Sequence, residues 1–222
     1  MSANFSFSLN EDKHLLKHPF YQAWNAGLLT QTTLQDYACQ YYHHVEAFPR
    51  YLKNAILKTE NSSQREILSE NLAEEDGTTF GIPHPELWIN FAEGLGLSRM
   101  SVAISAPRKA INVVIDTFTK FSKSSIAEAL GSLYAYEAQV PEVAQSKMDG
   151  LKKFYEILDE RALLFFDVHI KADVLHRESI KRLIDELSLE DQKLAQEAAE
   201  ASSTVLWDFL TEIGEVHGLA CA

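Results

Sequence analysis

The chain has 222 residues, 46% of them hydrophobic, and a net charge of −12 at pH 7, enough apolar material for one sizeable core. Its acidic residues are spread along the chain and no basic stretch offers a footprint for a phosphate backbone, which argues against nucleic-acid binding. No apolar run approaches the ~20 residues that span a bilayer, and two cysteines, Cys39 and Cys221, are too few and too far apart for a disulfide framework or a thiolate zinc site.

The opening Met-Ser-Ala-Asn-Phe-Ser-Phe-Ser lacks a basic start and an apolar core, so no secretory signal is read and a soluble cytoplasmic protein is expected. Helical periodicity dominates thereafter, with no convincing period-two segment. His14 to Ala26 reads as a first helix closed by Gly27. Thr32 with Gln35 resembles a capping box opening a long helix to about Leu57, in which Tyr37, Tyr41, His44 and Phe48 form an aromatic stripe. A third helix is expected from Ser63 to Asp76, a loop over Gly77 to Pro83, and a fourth helix from His84 to Gly94. Ser105 before Pro107 signals a further start. Ser124 or Ser125 opens another helix that Pro141 should kink or break. Helices over Asp159–Leu187 and Glu190–Val216 complete the chain. The expected architecture is all-α: one compact domain of about seven helices over residues 1–222, with 1–12 as a flexible N-terminus.

His169, Asp173 and His176 are spaced i, i+4, i+7, so on a helix they differ in direction by only about 40° and 20°. Phe165, Phe166 and Ala172 share that stripe, while Asp167, Lys171 and Glu178 lie opposite. Burying unpaired polar groups costs roughly 2–7 kcal/mol each, and a metal ion is the simplest way to satisfy two imidazoles and a carboxylate facing a core. A solvated helix face is the alternative. Glu137 shares an apolar face with Leu130, Leu133, Tyr134 and Val140; a buried glutamate is ligating, salt-bridged or bonded to a tyrosine. Glu75 closes the third helix in the run Glu74-Glu75-Asp76, where the helix dipole disfavours acid and a cation would compensate. His84 is either an ordinary helix start or returns to the same place. Together, three carboxylates and three histidines can enclose two ions, and mixed carboxylate and imidazole ligands suit iron or manganese. His14 and His18 read as surface residues, His44 as a hydrogen-bonded member of the aromatic stripe, Lys147 by default as a solvated lysine, and Cys39 as lacking a base to activate it.

The segments Tyr-Glu-Ala-Gln-Val-Pro, His-Ile-Lys-Ala-Asp-Val-Leu-His, His-Pro-Phe-Tyr and Tyr-Tyr-His-His-Val-Glu-Ala-Phe-Pro-Arg-Tyr-Leu together resemble the haem-oxygenase-like dimetal oxidases. This is the family of the chlamydial protein associating with death domains, and its fold is also that of pyrroloquinoline quinone synthase C and thiaminase II. The resemblance covers roughly Lys17 to Glu178. It implies a helical bundle of about seven helices and metal ligands at Glu75, His84, Glu137, His169, Asp173 and His176. It also implies two metal ions, an iron pair or manganese with iron, with dioxygen as co-substrate and an external reductant. By the same resemblance the product would be para-aminobenzoate for folate, with Tyr21 as its own ring source and Lys147 as amino donor. Tyr37, Trp88 and Tyr136 match aromatic positions that relay an electron.

Three other readings stay open from sequence. One is a dimetal oxidase acting on a free small molecule, and another a metal-free protein like pyrroloquinoline quinone synthase C or thiaminase II. The third is a binding protein for a death domain, a partner that nothing in the sequence encodes. An exposed aromatic face would allow a homodimer.

Overall fold

The computed structural model describes residues 6–79 and 81–219; Cys221 lies outside them. Among these residues the chain is all-α, with ten α-helices rather than about seven. Beyond the eight helical segments read from periodicity, the structure adds the short helix Arg99–Ala103 and realises the expected break near Pro141 as two separate helices.

The first helix expected over His14–Ala26 divides. Two 3₁₀ turns, Glu11–Lys13 and Leu15–Lys17, precede α1 (Pro19–Asn25), because Pro19 cannot continue a preceding hydrogen-bonded turn and suits a first helical position. The cap is His18, whose Nδ1 accepts the Phe20 amide at 3.0 Å while Nε2 meets Thr211 Oγ1 at 3.0 Å. It is fully buried and its imidazole is pushed down to about 4 by burial, so it is not the surface residue its position suggests. His14 keeps a partly exposed place and caps the second 3₁₀ turn. Of the expected flexible N-terminus, residues 1–5 lie outside the described part. Phe7 is buried edge-on against Tyr134, and Ser8 exchanges hydrogen bonds with Gln196.

Helix α2 (Gln31–Lys58) starts earlier than the expected capping box, at Thr30, whose hydroxyl accepts the Thr33 amide. Then come α3 (Ser62–Glu75), α4 (His84–Gly94), the unforeseen α5 (Arg99–Ala103) and α6 (Lys109–Lys123). Ser105 does not start α6. It hydrogen-bonds Val102 O, and its hydroxyl meets His43 Nε2 at 3.1 Å, closing α5. Ser125 and Glu128 form a full capping box on α7 (Ile126–Glu137). The break comes just before Pro141, which occupies the first turn of α8 (Val140–Phe154). Gln139 seals it, donating to Ala135 O and accepting the Leu15 amide. Long helices α9 (Glu160–Asp185) and α10 (Leu189–Val216) finish the bundle.

α7 and α10 pack closest. A Cβ at Gly131 would collide with the backbone of Ala195, and Ala195, Ala198, Ala199 and Ser202 present a buried stripe of small side chains to it. Most aromatic residues of the described chain lie inside: among its described exposed large hydrophobic side chains, Phe154 is the one aromatic. No helix among the described residues is long and apolar enough to cross a membrane.

Candidate functional site

α3, α4, α7 and α9 surround the six residues read as ligands, which form two groups, buried except for the partly exposed His176. In each, the potential ligand atoms lie within 4.8 Å of one another: Glu75, His84 and His169 in one, Glu137, Asp173 and His176 in the other. Local structure explains each placement. Glu75 is the last residue of α3; Gly77 at φ +80° reverses the chain against Pro83, where a Cβ would clash. α4 then begins at His84, so this residue is both a helix start and a buried member of the site. Helical spacing on α9 aims His169, Asp173 and His176 inward, as their periodicity predicts.

In the first group His84 Nδ1 sits 2.9 Å from Glu75 Oε2, yet the nitrogen makes no hydrogen bond. His169 Nδ1 lies 2.6 Å from Phe165 O one turn back. A carbonyl only accepts, so this nitrogen carries the proton and Nε2 keeps a free lone pair, the arrangement typical of a metal-binding imidazole. The two rings lie 4.5 Å apart. In the second group His176 Nδ1 is 3.3 Å from Glu137 Oε2 and 3.4 Å from Asp173 Oδ1, and its Nε2 is 3.4 Å from Glu74 Oε2. Asn71 donates to Glu137 Oε1 at 2.6 Å. Of the partners the sequence allowed Glu137 (a metal ion, a salt bridge or a tyrosine), the structure supplies a charge contact with His176, and it adds this amide, which the sequence did not anticipate.

Burial raises the Asp173 carboxyl, helped by the neighbouring Glu137 charge, and lowers His169 far below the usual imidazole range, with His84 adding repulsion. His176 and His84 are held above it although burial opposes their charge, because carboxylates crowd them. Without cations the cluster must share protons to offset its own negative charge. His84 Nδ1, Glu137 Oε2, Asp173 Oδ2 and Glu74 Oε2 are all buried with no hydrogen-bond partner. Four orphaned polar atoms converging in one place would be costly, and cations would satisfy them. Carboxylate and imidazole donors without a thiolate fit iron or manganese.

A second constellation lies among the large aromatic residues of the core. Tyr21 Oη meets Tyr37 Oη at 2.9 Å, and Lys147 donates to Tyr37 Oη at 2.7 Å. Lys147 is buried, not solvated; burial pushes it down to about 7. Its Nζ stands 5.0 Å from the Tyr21 ring centre and 5.1 Å from that of Tyr37. Burial raises both phenols well above their ordinary range, so they stay protonated. Trp24 Nε1 donates to Lys147 O at 3.1 Å, pinning α8 to α1, and Gly150 lets the indole approach.

Trp88 links the two constellations. Its ring centre is 5.9 Å from that of Tyr37 and 4.8 Å from that of Phe165, which is 4.1 Å from His169. Its indole donates to Ala38 O at 2.8 Å. Tyr136 packs on Phe48 and His44 and turns its phenol to Tyr41, whose ring stacks on that of Tyr37 at 5.3 Å. His44 has no hydrogen bond on either nitrogen and is held down to about 3 by burial, which corrects its reading as a hydrogen-bonded residue. Cys39 is half-buried with its thiol raised by burial and the Asp36 charge, the opposite of an activated nucleophile. The sequence reading missed Asn71, and it missed Glu74 as a partner of His176. It also gave no role to Tyr41, stacked 5.3 Å from Tyr37, or to Phe165. Asn71 lies one helical turn before Glu75 on the same face and Glu74 directly precedes it in the acidic run, the signals that would have drawn them in.

Residues 35–207 match the family model described as iron-containing redox enzyme, a haem-oxygenase-like family. The 4-aminobenzoate synthase of Chlamydia muridarum is 35% identical over 215 residues, covering 95% of this chain and 90% of that protein. The enzyme of the same name from Nitrosomonas europaea is 34% identical over 221 residues, 94% and 89% of the two chains. A pyrroloquinoline-quinone synthase from Acidiphilium cryptum is 29% identical over 159 residues, 69% and 63%. A domain of unknown function with a heme oxygenase-like fold from Shewanella denitrificans superimposes with a TM-score of 0.80 at 19% identity, covering 93% of this chain and 88% of that one. A CADD-like protein of unknown function from Nostoc punctiforme gives 0.73 at 19% identity over 95% of each chain. The solved structures speak to the fold alone, whereas the family match and the sequence identities reach further: this chain belongs to the haem-oxygenase-like family of iron-containing redox enzymes.

Proposed function

We propose that this protein is a 4-aminobenzoate synthase that spends its own Tyr21 as ring source and takes the amino nitrogen from Lys147, using dioxygen at a pair of metal ions. The observation that carries the reading is the buried contact of Lys147 with the paired phenols of Tyr21 and Tyr37. Tyrosine bears a carbon and an oxygen para to each other on its ring; 4-aminobenzoate bears a carboxylate and an amine at the same two places. Lys147 Nζ is linked to the Tyr21 hydroxyl through that of Tyr37 and lies over the Tyr21 ring, 5.0 Å from its centre; the product carries its amine at the ring position that bears this hydroxyl.

Glu75, His84 and His169 would hold one ion, and Glu137, Asp173 and His176 the other. Two iron ions, or iron with manganese, supply the oxidising power with dioxygen that cleaving a tyrosine side chain demands, which no acid–base residue offers. The chain's own groups do the rest. A lysine pushed down to about 7 by burial is a free amine with a lone pair in about half of the molecules at neutral pH, where an ordinary lysine is almost wholly an ammonium. Tyr37 holds both Nζ and the Tyr21 hydroxyl in place, so the reacting groups are collected by the fold and no free substrate must be captured. Trp88 and Phe165 bridge the gap to His169 by ring contacts. The names of the relatives, 4-aminobenzoate synthases at about one-third identity over most of the chain, support the same product.

The test is release of 4-aminobenzoate from iron-loaded, reduced protein exposed to oxygen, with mass analysis of the chain before and after. Tyr21→Phe and Lys147→Met should release none while still binding iron, and protein made with ring-labelled tyrosine should release labelled product. Undiminished product from Tyr21→Phe would move the reading to a dimetal oxidase with a free small-molecule substrate.

A further inference from the structure

Between the metal groups and the Tyr21–Tyr37–Lys147 contact the space is filled by Phe165 and Trp88, yet neither side chain passes an electron easily. A benzene ring is oxidised only far above the potential of a phenol. The Trp88 indole N–H is committed to Ala38 O, a carbonyl that accepts a hydrogen bond but takes up no proton, and Lys147 Nζ stands 5.8 Å from the Trp88 ring. Oxidised Trp88 would therefore be a buried cation beside an amine that itself takes up charge near neutral pH.

Tyr41 has what both lack. It lies on α2 one helical turn after Tyr37, and the two rings stack at 5.3 Å and 22°. Its ring centre is 5.0 Å from that of Trp88, whereas Tyr37 and Trp88 are 5.9 Å apart. Lys147 Nζ stands 5.1 Å from the Tyr41 ring centre, so the rings of Tyr21, Tyr37 and Tyr41 surround one nitrogen at nearly equal distances. The Tyr41 hydroxyl is turned to that of Tyr136. Burial raises this phenol and the facing Tyr136 offsets part of the rise, while the carboxylates of Asp173 and Glu75, one from each metal group, add to it. Tyr21 and Tyr37, by contrast, are raised by burial and by neighbouring phenols. Tyr41 thus touches the reacting group through its ring and answers to the metal groups through its oxygen.

We propose that Tyr41 is the relay through which oxidising equivalents pass from the metal pair to Tyr37 and Tyr21, with Tyr136 as the residue that positions its hydroxyl. This rests on the reading of the reaction given above. Tyr41 gives one electron to the metal pair, oxidised by dioxygen, and its phenolic proton to a carboxylate of the site. Tyr37, stacked on it, returns one electron to Tyr41 and gives its own proton to the free amine of Lys147, 2.7 Å away; the proton on the carboxylate goes back to Tyr41. Tyr21 then passes a hydrogen atom to the Tyr37 oxygen, 2.9 Å from its own. In sum, one electron leaves Tyr21 for the metals and one proton leaves it for Lys147, while Tyr41 and Tyr37 end unchanged.

The decisive probe is 3-fluorotyrosine in place of Tyr41, in a Tyr37→Phe background that removes the next electron donor. Iron-loaded, reduced protein is exposed to oxygen, frozen at intervals and examined by electron paramagnetic resonance. A tyrosyl signal split by the fluorine nucleus should accumulate. Tyr41→Phe keeps the ring and its packing; it should bind iron and consume oxygen as wild type does, release at least tenfold less 4-aminobenzoate and keep the side-chain mass at Tyr21. Tyr42→Phe, next in sequence with its hydroxyl 3.5 Å from Glu46, should release as much product as wild type. A radical without fluorine splitting, no radical at all, or undiminished release from Tyr41→Phe overturns the relay. A fluorine-split radical in a protein whose Tyr21 stays intact in the otherwise wild-type chain upholds the relay and removes Tyr21 as ring source. Product from wild type and Tyr41→Phe alike upholds the reaction and removes the relay.

Discussion

Asn71 and Glu137 meet at 2.6 Å in the interior, the amide of one donating to Oε1 of the other, and this bond turns the remaining carboxylate oxygen, Oε2, toward His176. On the far side of the same imidazole Glu74 stands 3.4 Å from Nε2. The group of Glu137, Asp173 and His176, which could hold a metal ion, is thus framed by two side chains of α3 that do not belong to it. Partners of this kind orient ligands and typically contribute 10–100-fold in metal affinity.

Asn71→Ala and Glu74→Ala are therefore expected to weaken iron binding at the second group by roughly that factor. Glu74→Gln should retain more than Glu74→Ala, because it keeps a polar oxygen facing His176 Nε2 where Glu74 Oε2 stands 3.4 Å away. Titration with iron followed by metal analysis after desalting reads this directly. Two tightly held equivalents in Asn71→Ala and Glu74→Ala alike would remove the positioning role.

Metal removal should destabilise the fold as a whole, since four helices meet at the site and its orphaned atoms then face one another unpaired. Iron at 100 times its dissociation constant contributes about 2.7 kcal/mol by mass action. The melting temperature of the apoprotein should climb with added iron, and a melting curve indifferent to iron would contradict a site that binds only the folded chain.

Lys147 makes stability depend on pH in a calculable sense. Its ammonium is pushed from 10.5 to about 7 by burial, so between those values the unfolded chain binds more protons at this residue than the folded one. Stability then rises with pH through the window, and the penalty is fully present below pH 7. Lys147→Met should raise stability at pH 6, by up to about 5 kcal/mol less the lost Tyr37 hydrogen bond. The advantage should shrink toward pH 10. Thermal melts across pH would show it, and a constant difference between the two proteins would mean the amine is not desolvated.

Gly131→Ala places a methyl group against the backbone of Ala195. A backbone cannot yield as a flexible side chain does, so α7 and α10 must separate at a cost of about 1–3 kcal/mol or more. The displaced end of α7 carries Glu137, so iron affinity at the second group should fall with it. Chemical denaturation together with iron titration checks both; a variant as stable as wild type would show the two helices to be less tightly packed.

Periodicity alone was enough to make this chain helical and to put His169, Asp173 and His176 on one inward stripe, because the 3.6-residue repeat fixes which side chains of a single helix share a face. The boundaries His84–Gly94 were legible for the same local reason, and so was the disruption at Pro141. What adjacent residues can satisfy in more than one way was not legible. Whether His18 caps a buried turn or sits in water depends on Thr211 arriving from α10, 193 residues away in sequence. Lys147 looked solvated because a lysine usually is; only the closure of α1 and α2 over α8 buries it beside Tyr37.

What the sequence determined by itself was the kind of element and the donor atoms on offer: helices throughout, with carboxylates and imidazoles where an apolar face should be. Only the tertiary structure decided the grouping, which residues meet in threes and which neighbours aim them, such as Asn71 on Glu137 and Phe165 on His169. The reason is geometric. Helical spacing governs directions within one helix, whereas the distance between helices is set by packing, by contacts such as Gly131 on Ala195 that no local pattern encodes.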